Sequence, residues 1–210
     1  MRVTEIFQSI QGEGTRAGRP CAFVRFTGCD LRCTWCDTAH AFQGGVERSR
    51  ASILAELGAM TPRLVCLTGG EPLLQPELPA LCADLQAAGW EVTVETHGQR
   101  DAEGLPPGVV RIFDVKPPGS GEETRDFAYL DRLRPGDEVK FVVASAADFS
   151  WSVEVVRRHR LGERVAVLIS PVVAAVDPRA LVEWLLAAGI QARISLQLHK
   201  LIWGADARGV

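Results

Sequence analysis

The chain has 210 residues, 47% of them hydrophobic, and a formal net charge of −3. That size and apolar content bury a core without disulfide staples and fit one domain spanning residues 1–210. The slight acidity argues against nucleic-acid binding, which draws on a basic face, and no apolar run approaches the roughly 20 residues that cross a bilayer.

The N-terminus, Met1-Arg2-Val3-Thr4-Glu5, lacks the apolar stretch of a signal peptide and enters a strand at once, so a cytoplasmic location is expected. In that reducing compartment the six cysteines read as ligands or core residues rather than as disulfides. The apolar and β-branched pattern predicts strands over 3–7 and 22–26, a helix over 49–57, a strand over 64–67 and a helix over 76–88. Strands follow over 91–94, 109–115 and 138–143, then a helix over 152–159, a strand over 165–169, a helix over 178–188 and a strand over 192–197. Pro76 suits the first turn of the second helix. In the last helix Asp177 is the expected N-cap, Pro178 opens the first turn, Leu181, Trp184, Leu185 and Ala188 share one face, and Gly189 stops it. Cys66 and Cys82 fall in an apolar strand and an apolar helix, and Cys21 precedes Ala22-Phe23-Val24; all three read as small buried hydrophobes.

Strands alternating with helices predict an α/β fold with a mostly parallel sheet. The βα units are too few for a closed barrel, so an open, incomplete TIM-like barrel is expected, with its chemistry at the C-terminal strand ends. The unusual residues fall there: Gly28-Cys29, Thr68-Gly69-Gly70-Glu71-Pro72, Glu95-Thr96-His97-Gly98, Asp114-Val115-Lys116-Pro117-Pro118, Ser170-Pro171 and Gln197-Leu198-His199-Lys200 each close or follow a predicted strand.

The segment from Gly28 to Thr38 carries Cys29, Cys33 and Cys36. Three thiols in so short a loop converge on a small inorganic core, and thiolates are the ligands iron–sulfur clusters prefer. A cubane with three protein ligands leaves one iron open for a small-molecule chelate. The zinc alternative needs a fourth protein ligand, for which His40 is nearest, and common zinc motifs use two separated pairs instead of one compact triplet.

The spacing Cys-x3-Cys-x2-Cys, with Trp35 before the third cysteine, resembles the radical S-adenosylmethionine superfamily. The resemblance implies a [4Fe-4S] cluster whose open iron chelates S-adenosylmethionine and whose electron releases a 5′-deoxyadenosyl radical. Gly69-Gly70-Glu71-Pro72 is similar to the superfamily's Gly-Gly-Glu-Pro segment. Glycines let backbone approach a ligand closely, and a carboxylate pairs with an ammonium group. By the same resemblance Gly70, Glu71, Lys116 and Ser170 contact the S-adenosylmethionine.

Ile10-Gln11-Gly12-Glu13-Gly14 ends a strand in a polar glycine turn. Gln11 and Glu13 offer an amide and a carboxylate suited to the edge of a pterin or purine; an ordinary turn is the alternative. This segment, with Gly18-Arg19-Pro20, Phe23-Val24-Arg25-Phe26, Cys36-Asp37-Thr38, Glu95-Thr96 and the closing Gln197-Leu198-His199-Lys200, resembles the 7-carboxy-7-deazaguanine synthase family nearly end to end. That family converts 6-carboxy-5,6,7,8-tetrahydropterin to 7-carboxy-7-deazaguanine with loss of ammonia, on the route to queuosine. The resemblance implies substrate contacts from Ile10, Gln11, Gly12, Arg25, Thr68 and His199, with the Arg25 fork gripping the substrate carboxylate. It further implies a Mg2+ ligand in Thr38, an electron donor of flavodoxin or ferredoxin type, and a homodimer. An activase of glycyl-radical enzymes would share the triad, but it acts on a protein backbone and has no use for the Gln11 turn with Arg25.

Overall fold

A computed structural model describes residues 1–204 and 207–210. Among these residues the strands are β1 (Arg2–Ile10), β2 (Pro20–Phe26), β3 (Val46–Glu47), β4 (Leu64–Gly69), β5 (Glu91–Thr96), β6 (Val110–Asp114), β7 (Glu138–Val143), β8 (Ala166–Pro171) and β9 (Arg193–Ile194). The helices are α1 (Arg50–Gly58), α2 (Leu78–Ala87), α3 (Ala146–Arg158), α4 (Pro178–Ala188) and α5 (Leu198–Trp203). One sheet runs in the order β3-β1-β2-β4-β5-β6-β7-β8-β9. Neighbours from β2 to β9 are parallel, while β1 is antiparallel to β2 and to β3. The two-residue strands β3 and β9 end the sheet and do not pair with one another, so the barrel is open, as expected. Helices α2, α3 and α4 fill three crossovers, whereas only short 3-10 turns at Pro118–Ser120 and Ala128–Arg132 lie between β6 and β7.

Local chemistry sets the helix ends. Ser49 Oγ accepts from Ser52 N at 3.1 Å ahead of α1, and Asp177 accepts from Arg179 N at 2.9 Å ahead of α4. Gly189 closes α4 at φ +61°, where a side chain would be strained. Helix α3 starts at Ala146, well before the predicted 152, because Ser145 caps it by accepting from Asp148 N at 3.1 Å. Within its first turn Asp148 is buried and accepts from Gly119 N and Ala144 N. In α2 the first-turn proline is Pro79 rather than Pro76. Strand β1 extends past the predicted residue 7 because Gln8, Ser9 and Ile10 pair with Ala22, Cys21 and Pro20. The strand predicted over 192–197 shrinks to Arg193–Ile194: Leu198 N donates to Gly12 O at 3.0 Å, drawing the chain off the sheet into α5.

Side chains alternate between two environments along each strand. Ala22, Val24 and Phe26 of β2, Val65 and Leu67 of β4, and Val139, Phe141 and Val143 of β7 face the helices and form the main core. Burial of a side chain such as Phe26 or Leu67 contributes about 1.5–3 kcal/mol. The intervening residues face the concave side, where Cys21, Phe23, Leu64 and Cys66 make a small apolar cluster near the strand starts. Arg25, Thr68, Asp114 and Lys140 stand nearer the strand ends on that same side. Cys21, Cys66 and Cys82 are fully buried, as read from the sequence. Burial pushes the Cys21 and Cys82 thiols up to about 12, and Cys66 well above its ordinary range, so these three are inert packing groups. No helix among the described residues is long and apolar enough to cross a membrane.

One buried ion pair ties β6 to β7. Arg111 donates from Nη2 to Asp137 Oδ2 at 2.6 Å, with both side chains 1% exposed, and from Nη1 to Glu103 at 2.7 Å. Asp137→Ala leaves a buried guanidinium without its counter-ion and is expected to lower the unfolding free energy by about 3–5 kcal/mol in denaturant titrations. Glu103→Ala, which removes the more exposed partner, should cost under about 1 kcal/mol.

Candidate active site

A cavity of about 540 Å³ opens at the C-terminal ends of the parallel strands. Cys29, Cys33 and Cys36 lie on its wall as free, half-buried thiols. Their loop leaves β2 at Gly28, whose φ of +100° suits glycine. The loop is stitched to the end of β4: Gly70 N donates to Phe26 O at 3.0 Å and Glu71 N to Gly28 O at 2.7 Å. No side chain fits in that seam. A Cβ on Gly70 would overlap the Gly28 carbonyl oxygen, and one on Gly69, at φ +125°, would overlap Phe26 backbone. On its other side the loop is pinned by Thr34 N to Ser120 O at 2.9 Å and by Arg32 N to Glu122 Oε1 at 2.7 Å. Arg32 also stacks over Phe42 at 4.3 Å.

Burial pushes the Cys29 and Cys33 thiols up, with the Lys116 ammonium working against it at Cys33. Three soft donors face one cavity, and the remaining cysteines are locked in the core, so the donor set fits a cluster with one site left for a ligand from the cavity. Cys29, Asp30 and His97 also bring ligand atoms within 4.8 Å of one another. There Asp30 is already held by His97 Nε2 at 2.9 Å and by Arg100 Nη2 at 2.6 Å, so a harder metal would have to displace both. His40, the other zinc candidate, lies beside Glu5 instead, at 3.5 Å.

Opposite the cysteines stands the turn after β1. Ile10, Gln11 and Gly12 line the cavity; Gln11 is buried and its Oε1 accepts from Glu13 N at 3.2 Å. Gly12 is packed against His199, whose ring would overlap any Cβ there. Burial pushes the His199 pKa down, which favours a neutral imidazole. Arg25 projects from β2 with Nε donating to Glu5 Oε1 at 2.6 Å, and its guanidinium lies over Phe7 at 5.8 Å. Thr68 donates to Glu95 Oε2 at 3.0 Å. Thr38 donates to Asp37 Oδ1 at 2.9 Å, and Asp37 Oδ2 meets Lys200 Nζ at 2.6 Å, a contact that holds the Asp37 carboxyl below its ordinary range.

Between these walls a chain of ions links Lys116 and Glu13, both singled out in the sequence, through Asp114 and Lys140. Lys116 Nζ lies 3.0 Å from Asp114 Oδ2, Lys140 Nζ lies 3.6 Å from the same oxygen, and Lys140 reaches Glu13 Oε2 at 3.1 Å. Gln197 donates to Glu13 Oε1 at 2.8 Å. Opposite charges hold Asp114 below, and both lysines above, their ordinary values against the cost of burial. Asp114 Oδ1 is buried without a hydrogen bond. The available signal for Lys140 was Glu138-Val139-Lys140, two charges on one face of an otherwise apolar strand. The pairing of Asp37 with Lys200 left no local trace at all. Residues 207–210 also border the cavity.

Two expected S-adenosylmethionine contacts lie outside this surface. Glu71 is fully buried, and its carboxylate accepts from Thr96 Oγ1 at 2.9 Å, His97 N at 3.0 Å and Leu73 N at 2.9 Å. Ser170 is buried and donates to Ser195 O at 2.7 Å. Both side chains bond protein partners, whereas Gly70 and Lys116 line the cavity.

The radical SAM superfamily model matches residues 23–143, the stretch from β2 through β7. A 7-carboxy-7-deazaguanine synthase of Koribacter versatilis is 42% identical over the whole of both chains. One of Chlorobaculum tepidum is 38% identical over all of this chain and 97% of its own. Among solved structures, QueE from Escherichia coli superposes with a TM-score of 0.77 at 26% identity, covering 94% of each chain. Streptococcus suis SuiB bound to its precursor peptide SuiA shares the fold alone, with a TM-score of 0.61 at 10% identity over 83% of this chain and 47% of its own.

The glycine seam yields a direct test. Overpacking costs about 1–3 kcal/mol, here placed where the cysteine loop leaves the sheet. Gly70→Ala is expected to lower the iron and sulfide retained after anaerobic reconstitution, while Cys82→Ala in α2 leaves both unchanged. Equal iron in the two variants would show that the seam does not position the loop.

Proposed function

The chain belongs to the 7-carboxy-7-deazaguanine synthase family of the radical SAM superfamily, and on that premise we propose how its residues carry out the reaction. The overall conversion is the ring contraction of 6-carboxy-5,6,7,8-tetrahydropterin to 7-carboxy-7-deazaguanine with loss of ammonia, a carbon–nitrogen lyase reaction. The observation that carries this reading is the facing of the three cysteines and the Gln11–Glu13 turn across one cavity.

Cys29, Cys33 and Cys36 would hold the [4Fe-4S] cluster, and the Gly69–Gly70 backbone with Lys116 would border S-adenosylmethionine. When bound, this pair supplies the one-electron cleavage and hydrogen abstraction that no side chain can perform. The chain's own residues bind and orient the pterin. Glu5 holds Arg25 by Nε, which leaves the outer edge of the guanidinium to grip the substrate carboxylate. Gln11, Thr68 and His199 present an amide, a hydroxyl and a neutral imidazole to the pterin ring, with His199 seated on Gly12. Lys140 holds Glu13 in place beside them. Buried, paired ions of this kind specify geometry more than they stabilise the fold.

The Thr38 hydroxyl beside the Asp37 carboxylate offers hard oxygen donors, and Mg2+ there would join Thr38 to the substrate carboxylate. Glu71 acts from behind, fixing Thr96 and His97 under the cysteine loop instead of touching the cofactor. The same reading carries a single domain over residues 1–210, a flavodoxin- or ferredoxin-type electron donor, a homodimer and a cytoplasmic location.

The test is anaerobic turnover of reconstituted protein with S-adenosylmethionine, reductant and carboxytetrahydropterin. Ammonia and deazaguanine product should appear together, faster with Mg2+ than with chelator. Absence of both from protein with a full complement of iron would reject the substrate. Arg25→Lys, which replaces a fork with a point charge, should raise KM for the pterin by about tenfold, equivalent to the loss of about 1.4 kcal/mol.

A further inference from the structure

The segment from Gln11 to Arg19 is a plug: its Gln11–Glu13 side lines the cavity, and its Thr15–Arg19 side turns down to the N-terminal ends of the strands. What holds that lower side is Glu138, the first residue of β7, whose side chain is 2% exposed. Its carboxylate accepts from Thr15 N at 3.1 Å, from the Thr15 hydroxyl, and from Arg16 Nη1 at 2.8 Å. Gly14, at φ +75°, leaves room for it, since a Cβ there would lie 2.7 Å from Glu138 Oε2. Arg16 Nε then bonds Glu91 Oε1 at 2.6 Å, and Arg19 Nη2 bonds Glu91 Oε2 at 2.6 Å. Glu138 touches nothing in the cavity. Two residues up the same face of β7, Lys140 bonds Glu13, so one strand grips the plug at both its floor and its ceiling. From the other side Ser195 Oγ accepts from Gly14 N at 3.2 Å.

We infer that Glu138 is a positioning residue for substrate recognition: by fastening Thr15 and Arg16 at the barrel floor it sets the height at which Gln11, Gly12 and Glu13 meet the pterin. This rests on the reading of the cavity as the pterin site. The physical ground is that a polar turn of glycines has no core of its own to hold it, so its position is fixed by the bonds that saturate it: the backbone bonds from Gln11 N to Arg19 O, Gly18 N to Gln11 O and Leu198 N to Gly12 O, and the Glu138 contacts to Thr15 and Arg16. Displacement of a recognition element by a fraction of an ångström weakens binding and alignment without touching the radical source on the opposite wall.

The experiment compares wild type with Glu138→Gln, Thr15→Val and Thr15→Ser. Gln keeps the shape but offers one acceptor oxygen in place of two; Val deletes one hydroxyl bond, and Ser retains it. Glu138→Gln is expected to raise KM for carboxytetrahydropterin by roughly tenfold or more, with bound iron and substrate-independent cleavage of S-adenosylmethionine close to wild type. Thr15→Val should show a smaller rise and Thr15→Ser almost none. Hydrogen exchange should quicken in residues 11–15 of Glu138→Gln and stay unchanged in the Cys29–Cys36 loop. An unaltered KM in both Glu138→Gln and Thr15→Val overturns the inference. So does a parallel fall in iron, uncoupled cleavage and pterin turnover, which would make Glu138 a general stability residue. A wild-type protein that cleaves S-adenosylmethionine but leaves the pterin unchanged removes the substrate reading and this inference with it.

Discussion

The seam between the ends of β2 and β4 is the constraint on which the site depends. Two adjacent parallel strands finish at one level, and beyond it Gly70 N and Glu71 N donate to carbonyls of Phe26 and Gly28. The backbones approach so closely that neither Gly69 nor Gly70 tolerates a Cβ. The start of the cysteine wall is hung from that contact: Gly28 turns, Cys29 enters the cavity, and Glu71 beneath ties in Thr96 and His97. The glycine pair therefore has two duties. It brings backbone to the cavity, and it admits the cysteine loop to the end of the sheet.

The opposite wall is governed by charge. Along each strand the period of two sends apolar residues to the helices and leaves the concave side to a few polar ones. Those polar residues would be costly alone in a largely buried setting, and they occur in pairs or chains: Arg25 with Glu5, Thr68 with Glu95, and Glu13 with Lys140, Asp114 and Lys116. Such a chain adds little net stability over an apolar core. Its effect is geometric, because each ion is held by the next and the turn after β1 is carried on the last. Glu138 extends the same logic to the barrel floor.

Much of this could be read in the chain. Strand-end glycines, the compact cysteine triplet and the Gln11 turn mark the cavity because each is an unusual local pattern at a strand end. The core cysteines were recognisable because apolar neighbours surround them. Other features misled for definite reasons. Helix α3 starts earlier than the sequence pattern indicates because Ser145 caps it and Asp148 serves as an internal acceptor for Gly119 and Ala144. The strand after α4 looks longer than it is because the bond from Leu198 to Gly12 competes with the sheet. Ser170 and Glu71 carry polar groups in strand-end segments, and only the positions of Ser195, Thr96 and His97 reveal the protein partners those groups hold.

The sequence by itself determined the layered α/β order, the compact cysteine triplet, the glycine seam and the family, since each depends on residues near one another in the chain or on a nearly end-to-end pattern. Tertiary structure decided which polar groups remain free to act. Saturation of a carboxylate or a hydroxyl depends on partners that are remote in sequence and adjacent in space, as with Asp37 and Lys200, Glu13 and Lys140, and Thr15 and Glu138. No local periodicity encodes such a pairing; it exists only once the sheet has brought its strands into register.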